Sequence, residues 1–143
     1  MTIIPKLLLA MLWLWSCPWP APAQVAVIAH PAVPADSIDR GRLLDFYTGD
    51  IRSWSDGQPV VAIDLGPHSE TREAFYRYLG KTSSRMRSIW LKRKLAGEGD
   101  PPFAMPTEEL VVARVGTTPG AVGFVSQDRV SARVKVIAVI PTE

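Results

Sequence analysis

Five consecutive apolar residues, Val25 to Ala29, run up to His30-Pro31 with no polar position among them. A strand with one wet face alternates apolar and polar side chains, whereas an unbroken apolar run suits a strand covered on both faces. Such a strand needs helices on two sides of its sheet, and the remainder of the chain offers them. Pro31 and Pro34 break the backbone, after which Asp36 or Ser37 can N-cap a helix carrying Ile38, Leu43 and Leu44 that closes at Thr48-Gly49. Pro59 to Asp64 reads as a second strand with Val60, Val61 and Ile63 buried, followed by a turn at Gly66-Pro67.

Thr71, Phe75, Tyr78 and Leu79 recur at helical spacing, which predicts an amphipathic helix from about Ser69 to Leu79, closed by Gly80. Thr82 or Ser83 caps the next helix, whose apolar stripe is Met86, Ile89 and Trp90 and which ends near Gly97. Residues 97–102 form a loop by composition, and the lone Gly97-x-Gly99 in it, with no strand before it, is weak support for phosphate binding. Thr107, with Glu108 and Glu109 complementing the helix dipole, starts a further helix through Val115, with Gly116 as its stop. Ala121 to Val125 and Val134 to Ile140 complete the set as strands. Strands alternating with helices predict an α/β fold: a mostly parallel sheet of four or five strands flanked by helices.

The chain opens with a different kind of segment. Lys6 precedes the apolar run Leu7 to Trp15, and Ala21-Pro22-Ala23 places small residues where a signal peptidase reads. The run falls short of the roughly 20 residues that span a bilayer. Residues 1–23 are therefore expected to be a cleavable signal peptide, with residues 24–143 exported to the periplasm or beyond as one domain. A retained anchor and a lipoprotein processed at Cys17 are weaker alternatives, the second because bulky Trp15 stands where that motif wants a small residue. Cys17 is the single cysteine, so the mature chain has neither a disulfide framework nor a thiol nucleophile.

Charge is unevenly spread. Between Arg72 and Lys94 stand eight basic residues (Arg72, Arg77, Lys81, Arg85, Arg87, Lys92, Arg93 and Lys94) and one acid, Glu73, whereas the rest of the mature chain has seven basic and thirteen acidic residues. A patch of this kind can steer anions, hold an acidic partner or touch anionic headgroups, and it can equally be a solvated helix face. Nucleic acid fits poorly with export. Enzymatic chemistry lacks a constellation to carry it: the mature chain has only His30 and His68, no cysteine, no His-x-x-x-His or Glu-x-x-His, and no Gly-x-Ser-x-Gly elbow. No catalytic residue, metal site or cofactor is expected.

Two segments carry a resemblance. Phe46-Tyr47-Thr48-Gly49-Asp50-Ile51-Arg52-Ser53-Trp54-Ser55-Asp56-Gly57 and Pro119-Gly120-Ala121-Val122-Gly123-Phe124-Val125 resemble signatures of the phosphate ABC transporter substrate-binding family, periplasmic receptors of the type II class. The resemblance spans about Val25 to Val125 and implies a single lobe of the type II periplasmic-binding fold, because two-lobed receptors need about twice this length. It implies that the segment around Thr48-Gly49 is structural, and Trp54 is expected in the core.

The strand-to-helix turn Gly66-Pro67-His68-Ser69-Glu70-Thr71-Arg72 is the candidate anion site, since a helix start presents unpaired N–H groups and a partial positive charge. In the resembled family this turn carries Gly-Ser-Gly-Thr, and Ser69 and Thr71 fall on its Ser and Thr. His68 and Glu70 replace the glycines, and Asp64 and Leu65 stand where the family has an Arg, a charge that Arg72 could supply instead. The expected ligands of a phosphate-like anion are therefore Ser69, Thr71 and Arg72. The plainer reading is that Ser69 only caps the helix. The resemblance implies an exported phosphate or small-oxyanion binder, delivering to an ABC transporter permease. The competing reading is a non-catalytic periplasmic accessory module, working with a sensor or porin, that has lost its ligand.

Overall fold

The computed structural model describes residues 24–141 of the chain. The expected signal peptide and its cleavage point lie outside the described residues. Within them the order is β1 (Val25–Ala29), α1 (Arg40–Thr48), β2 (Val61–Leu65), α2 (Glu70–Leu79), α3 (Ser83–Leu95), β3 (Phe103–Met105), α4 (Glu108–Thr117), β4 (Ala121–Ser126), a short 3-10 turn at Gln127–Arg129, and β5 (Lys135–Ile140).

The strands form one five-stranded sheet in the order β3-β2-β4-β1-β5. β2 runs parallel to both β3 and β4, while β1 is antiparallel to both its neighbours, β4 and β5. Four strands thus share one direction and β1 alone opposes them. The sheet is an α/β sheet, with β1 buried on both faces as its unbroken apolar run implies.

Gly123 and Phe124 show how the layers divide, since successive residues of a strand face opposite ways. A Cβ on Gly123 would lie 3.0 Å from both Val111 and Val115, so α4 packs directly on the backbone of β4. Phe124 points to the other face, where it stacks on Phe75 of α2 with ring centroids 3.9 Å apart and lies 6.0 Å from Tyr47 of α1. One layer is therefore α4, and the other is α1 with α2. α3 packs outside α1, where the Trp90 indole N–H donates to the Tyr47 carbonyl at 2.9 Å.

Helix starts follow side-chain capping. Asp39, Ser69, Thr82 and Thr107 each accept a hydrogen bond from the backbone three residues on, an arrangement worth about 1 kcal/mol apiece. The first of these corrects the expectation of Asp36 or Ser37: the segment before α1 is instead held to the outer edge of β5 by the Ile38 N–H donating to the Ile137 carbonyl at 3.1 Å. Gly49 and Gly80 close α1 and α2 as expected. Gly116 does not stop α4, which continues to Thr117, and β2 begins at Val61 rather than at Pro59. β3 has no counterpart among the expected strands. It has only three residues, framed by Pro101-Pro102 and Pro106, so neither its length nor its composition shows the period of a strand.

Candidate functional site at the start of helix α2

β2 ends at Leu65, the chain turns through Gly66 and Pro67, and α2 begins after Ser69. His68 occupies the left-handed region with φ of 72°, the one such non-glycine residue among those described. A non-glycine side chain there costs on the order of 1 kcal/mol or more. Ser69 Oγ accepts from the Arg72 N–H at 3.2 Å, and the Glu73 N–H reaches the Ser69 carbonyl at 3.1 Å. The amides of Glu70 and Thr71 have no partner among the described residues, the usual state of a helix's first turn.

Among the described residues and cavities, Ser69 and Arg72 line different hollows and Thr71 lines neither. Ser69 lines an open concavity of about 530 Å³ with His68, Glu70, Glu73 and Arg77, where two carboxylates face two basic side chains. Thr71 is half-buried in the first turn. Arg72 turns the other way, toward Asp64 at the end of β2.

Arg72 is already occupied there. Its Nε lies 3.2 Å from Asp64 Oδ1, its Nη1 donates to Ser83 Oγ at 3.1 Å, and its Cζ sits 4.5 Å above the Tyr76 ring. Asp64, 6% exposed, also accepts from the Tyr76 hydroxyl and, at 2.8 Å, from the Leu65 N–H. Ser83 Oγ passes the chain on to Glu73 Oε1 at 2.9 Å. Burial first, and then the Asp64 charge, push the Tyr76 phenol far above its ordinary value, and Tyr47 is raised by the same two causes. For Arg72, burial pulls downward but is outweighed by Asp64 and Tyr76, leaving the guanidinium more firmly charged.

The network is only half visible in the sequence. Asp64 stands as a carboxylate in an apolar strand, which is a signal that a cation must meet it. Arg72 and Tyr76 are four residues apart on one helix face, the spacing that lets both reach it. What linear spacing lacks is the depth of Asp64, which turns a generic surface arginine into a partner for a buried acid.

The resembled segments also meet, the Trp54 indole N–H donating to the Gly120 carbonyl. Trp54, 3% exposed, packs edge-on against Phe46 with centroids 4.9 Å apart, so its expected place in the core holds. Among the described residues no group of three or more His, Cys, Asp or Glu side chains could hold a metal ion, and no helix is long and apolar enough to cross a membrane.

Three parallel strands in the order β3-β2-β4, an opposed β1 and helices on both faces make one α/β fold. Comparison with solved structures agrees. The chain is similar to a putative phosphate ABC transporter substrate-binding protein with bound phosphate from Clostridium perfringens, at 21% identity and TM-score 0.67, over 80% of this chain and 45% of that one. It is similar to an ABC-type phosphate transport receptor from Vibrio cholerae, at 23% identity and TM-score 0.66, over 84% of this chain and 49% of that one. A possible phosphate binding protein from Planctomyces limnophilus matches at 16% identity and TM-score 0.60, over 80% and 41% respectively. The chain thus shares their fold and spans less than half the length of each. No protein-family model and no curated relative matches it.

Proposed function

We propose that the chain is an exported solute-binding-type protein that takes phosphate or a similar small oxyanion at the start of α2, with Ser69, Thr71 and Arg72 as its ligand side chains. The observation that carries this reading is the backbone of His68. The resembled motif has a glycine at this position, and His68 keeps a glycine-like φ of 72° despite its Cβ. Strain of this kind persists where the surroundings require the shape, and a glycine-like turn kept at this position supports the reading of an anion loop. The partnerless amides of Glu70 and Thr71 and the hydroxyl of Ser69 supply donors, and the dipole of a ten-residue helix favours negative charge beside them.

Arg72 joins the site only by exchanging Asp64 for the incoming anion, so binding is coupled to rearrangement of the Asp64–Tyr76 contact. Delivery to an ABC transporter permease is supported by the likeness to transport receptors, and export by the expected signal peptide at residues 1–23. Amino-terminal sequencing of exported material is expected to begin at Gln24, and an intact Met1 terminus in the membrane fraction would overturn the export reading.

Calorimetric titration with phosphate tests the site. Thr71→Val is expected to weaken binding, and Glu70→Gly to tighten it by restoring a glycine and removing a competing carboxylate. A hundredfold excess of phosphate over Kd raises stability by about 2.7 kcal/mol. A flat response from the wild type and both variants up to millimolar phosphate would sink the reading.

A second reading, a non-catalytic periplasmic accessory module without a ligand, is favoured by the engagement of Arg72 with Asp64 at 3.2 Å. In that case Ser69 is simply a cap, and the flat titration is the expected result.

A further inference from the structure

A second cavity, of about 320 Å³, opens on the far side of α2 between α3 and the segment leading into β3. That volume is at the small end of the range for ligand sites, roughly 300–1,000 Å³. Its walls are mainly apolar: Met86, Trp90 and Leu91 on one side, Pro101, Pro102 and Ala104 on the other. The Trp90 ring is held by its bond to the Tyr47 carbonyl at 2.9 Å, and the two prolines have little freedom, so the slot is preformed.

Charge at this cavity is one-sided. Arg72, Arg87 and Lys94 line it against the single carboxylate of Asp64, which Arg72 already neutralises. Arg87 has no acidic partner among the described residues, and Lys94 has only Asp100 at 3.9 Å, with the Lys94 side chain 65% exposed. Both are free to swing over the mouth. Leu91, four residues after Arg87 on the same helix face, is 58% exposed, a large apolar side chain left uncovered at the rim.

The neighbouring edge strand does not explain the slot as a peptide-docking groove. β3 has three residues and is stopped by Pro101-Pro102 before it and Pro106 after it, which blunts its edge against strand addition. Inorganic phosphate suits the slot poorly too, because apolar walls cannot replace the hydration of a small, highly charged anion.

We propose that this cavity binds a small organic anion with an apolar body, an aryl or alkyl carboxylate or sulfonate. Its ring or chain lies against Trp90 and Pro101-Pro102, and its charge meets Arg87 and Lys94. The cavity opens away from Ser69 and shares only Arg72 with the proposed phosphate site, and its occupant is expected to bind while Arg72 is held on Asp64.

Calorimetric titration with 2-naphthoate in phosphate-free buffer tests it, with 2-naphthalenemethanol as the neutral analogue. Saturable binding of 2-naphthoate at sub-millimolar concentration is expected, with the alcohol about tenfold weaker or worse. The double variant Arg87→Gln/Lys94→Gln is expected to lose about tenfold or more in affinity at an unchanged melting temperature, since neither side chain is part of the core. Ala104→Leu, which fills the slot, is expected to abolish binding by sterics alone. Absence of saturable binding, equal affinity for the alcohol, or undiminished binding by either variant would each overturn the proposal.

Discussion

The indole Nε1 of Trp54 donates to the carbonyl of Gly120 at 2.9 Å, joining the two sequence segments that most resemble the receptor signatures. The same carbonyl accepts from the Val61 N–H at 3.0 Å, so one oxygen ties the loop after α1 and the first residue of β2 to the turn before β4. Gly120 has φ of 79°, and a Cβ there would come within 2.2 Å of the Pro59 carbonyl oxygen. Gly120→Ala is expected to cost roughly 2–4 kcal/mol through backbone strain and clash. Trp54→Ala is expected to cost roughly 3–5 kcal/mol, the usual penalty for truncating a buried Trp. Urea unfolding midpoints measure both, and a Trp54→Ala protein as stable as wild type would show that the indole is not a structural anchor.

Asp64 and Arg72 make a second dependency. Asp64 is buried and the Arg72 side chain is 17% exposed, so removing the cation leaves a carboxylate held only by Tyr76 and the Leu65 amide. Arg72→Met is expected to destabilise by about 2–3 kcal/mol, somewhat under the cost of breaking a fully buried pair. In a double-mutant cycle with Asp64→Asn the two losses should fall well short of additive. Additive losses would mean that the two side chains act independently.

His68→Gly is expected to stabilise the protein by about 0.5–1 kcal/mol. Relief of the left-handed strain outweighs the extra freedom of glycine in the unfolded chain. Chemical denaturation measures the change, and a loss of stability would show that the imidazole makes contacts worth more than the strain.

Tyr47 and Tyr76 make the protein sensitive to alkali. Both phenols are raised by burial and then by Asp64, so the folded state holds their protons more tightly than the unfolded state does. Their contribution is complete below the unfolded tyrosine value of about 10 and is lost as pH rises above it. Stability from urea unfolding is therefore expected to fall above about pH 10, and less steeply in Tyr76→Phe. Reversible formation of both phenolates in the folded protein, without loss of structure, would contradict this.

The local grammar of the chain is legible in the order of its residues. The unbroken apolar run of Val25 to Ala29 calls for burial on both faces, and Ser69, Thr82 and Thr107 announce three helix starts that the backbone uses. These signals act over a few residues, through side-chain burial and hydrogen bonds to the nearest amides, so linear order contains them. The candidate anion turn is legible for the same reason, down to Ser69 as its cap.

The direction of β1 against its neighbours, the pairing of three-residue β3 along β2, and the commitment of Arg72 to Asp64 are decided by tertiary structure. An apolar run specifies burial without specifying which way the strand points, because both directions bury the same side chains. Three residues between prolines show no period until a neighbouring strand supplies their partners. An arginine in the first turn of a helix can face a solute or a buried acid, and sequence spacing is the same for either. The depth of Asp64 beneath Tyr76, set by the packing of α2 on the sheet, makes that choice through the cost of leaving a carboxylate unpaired away from water.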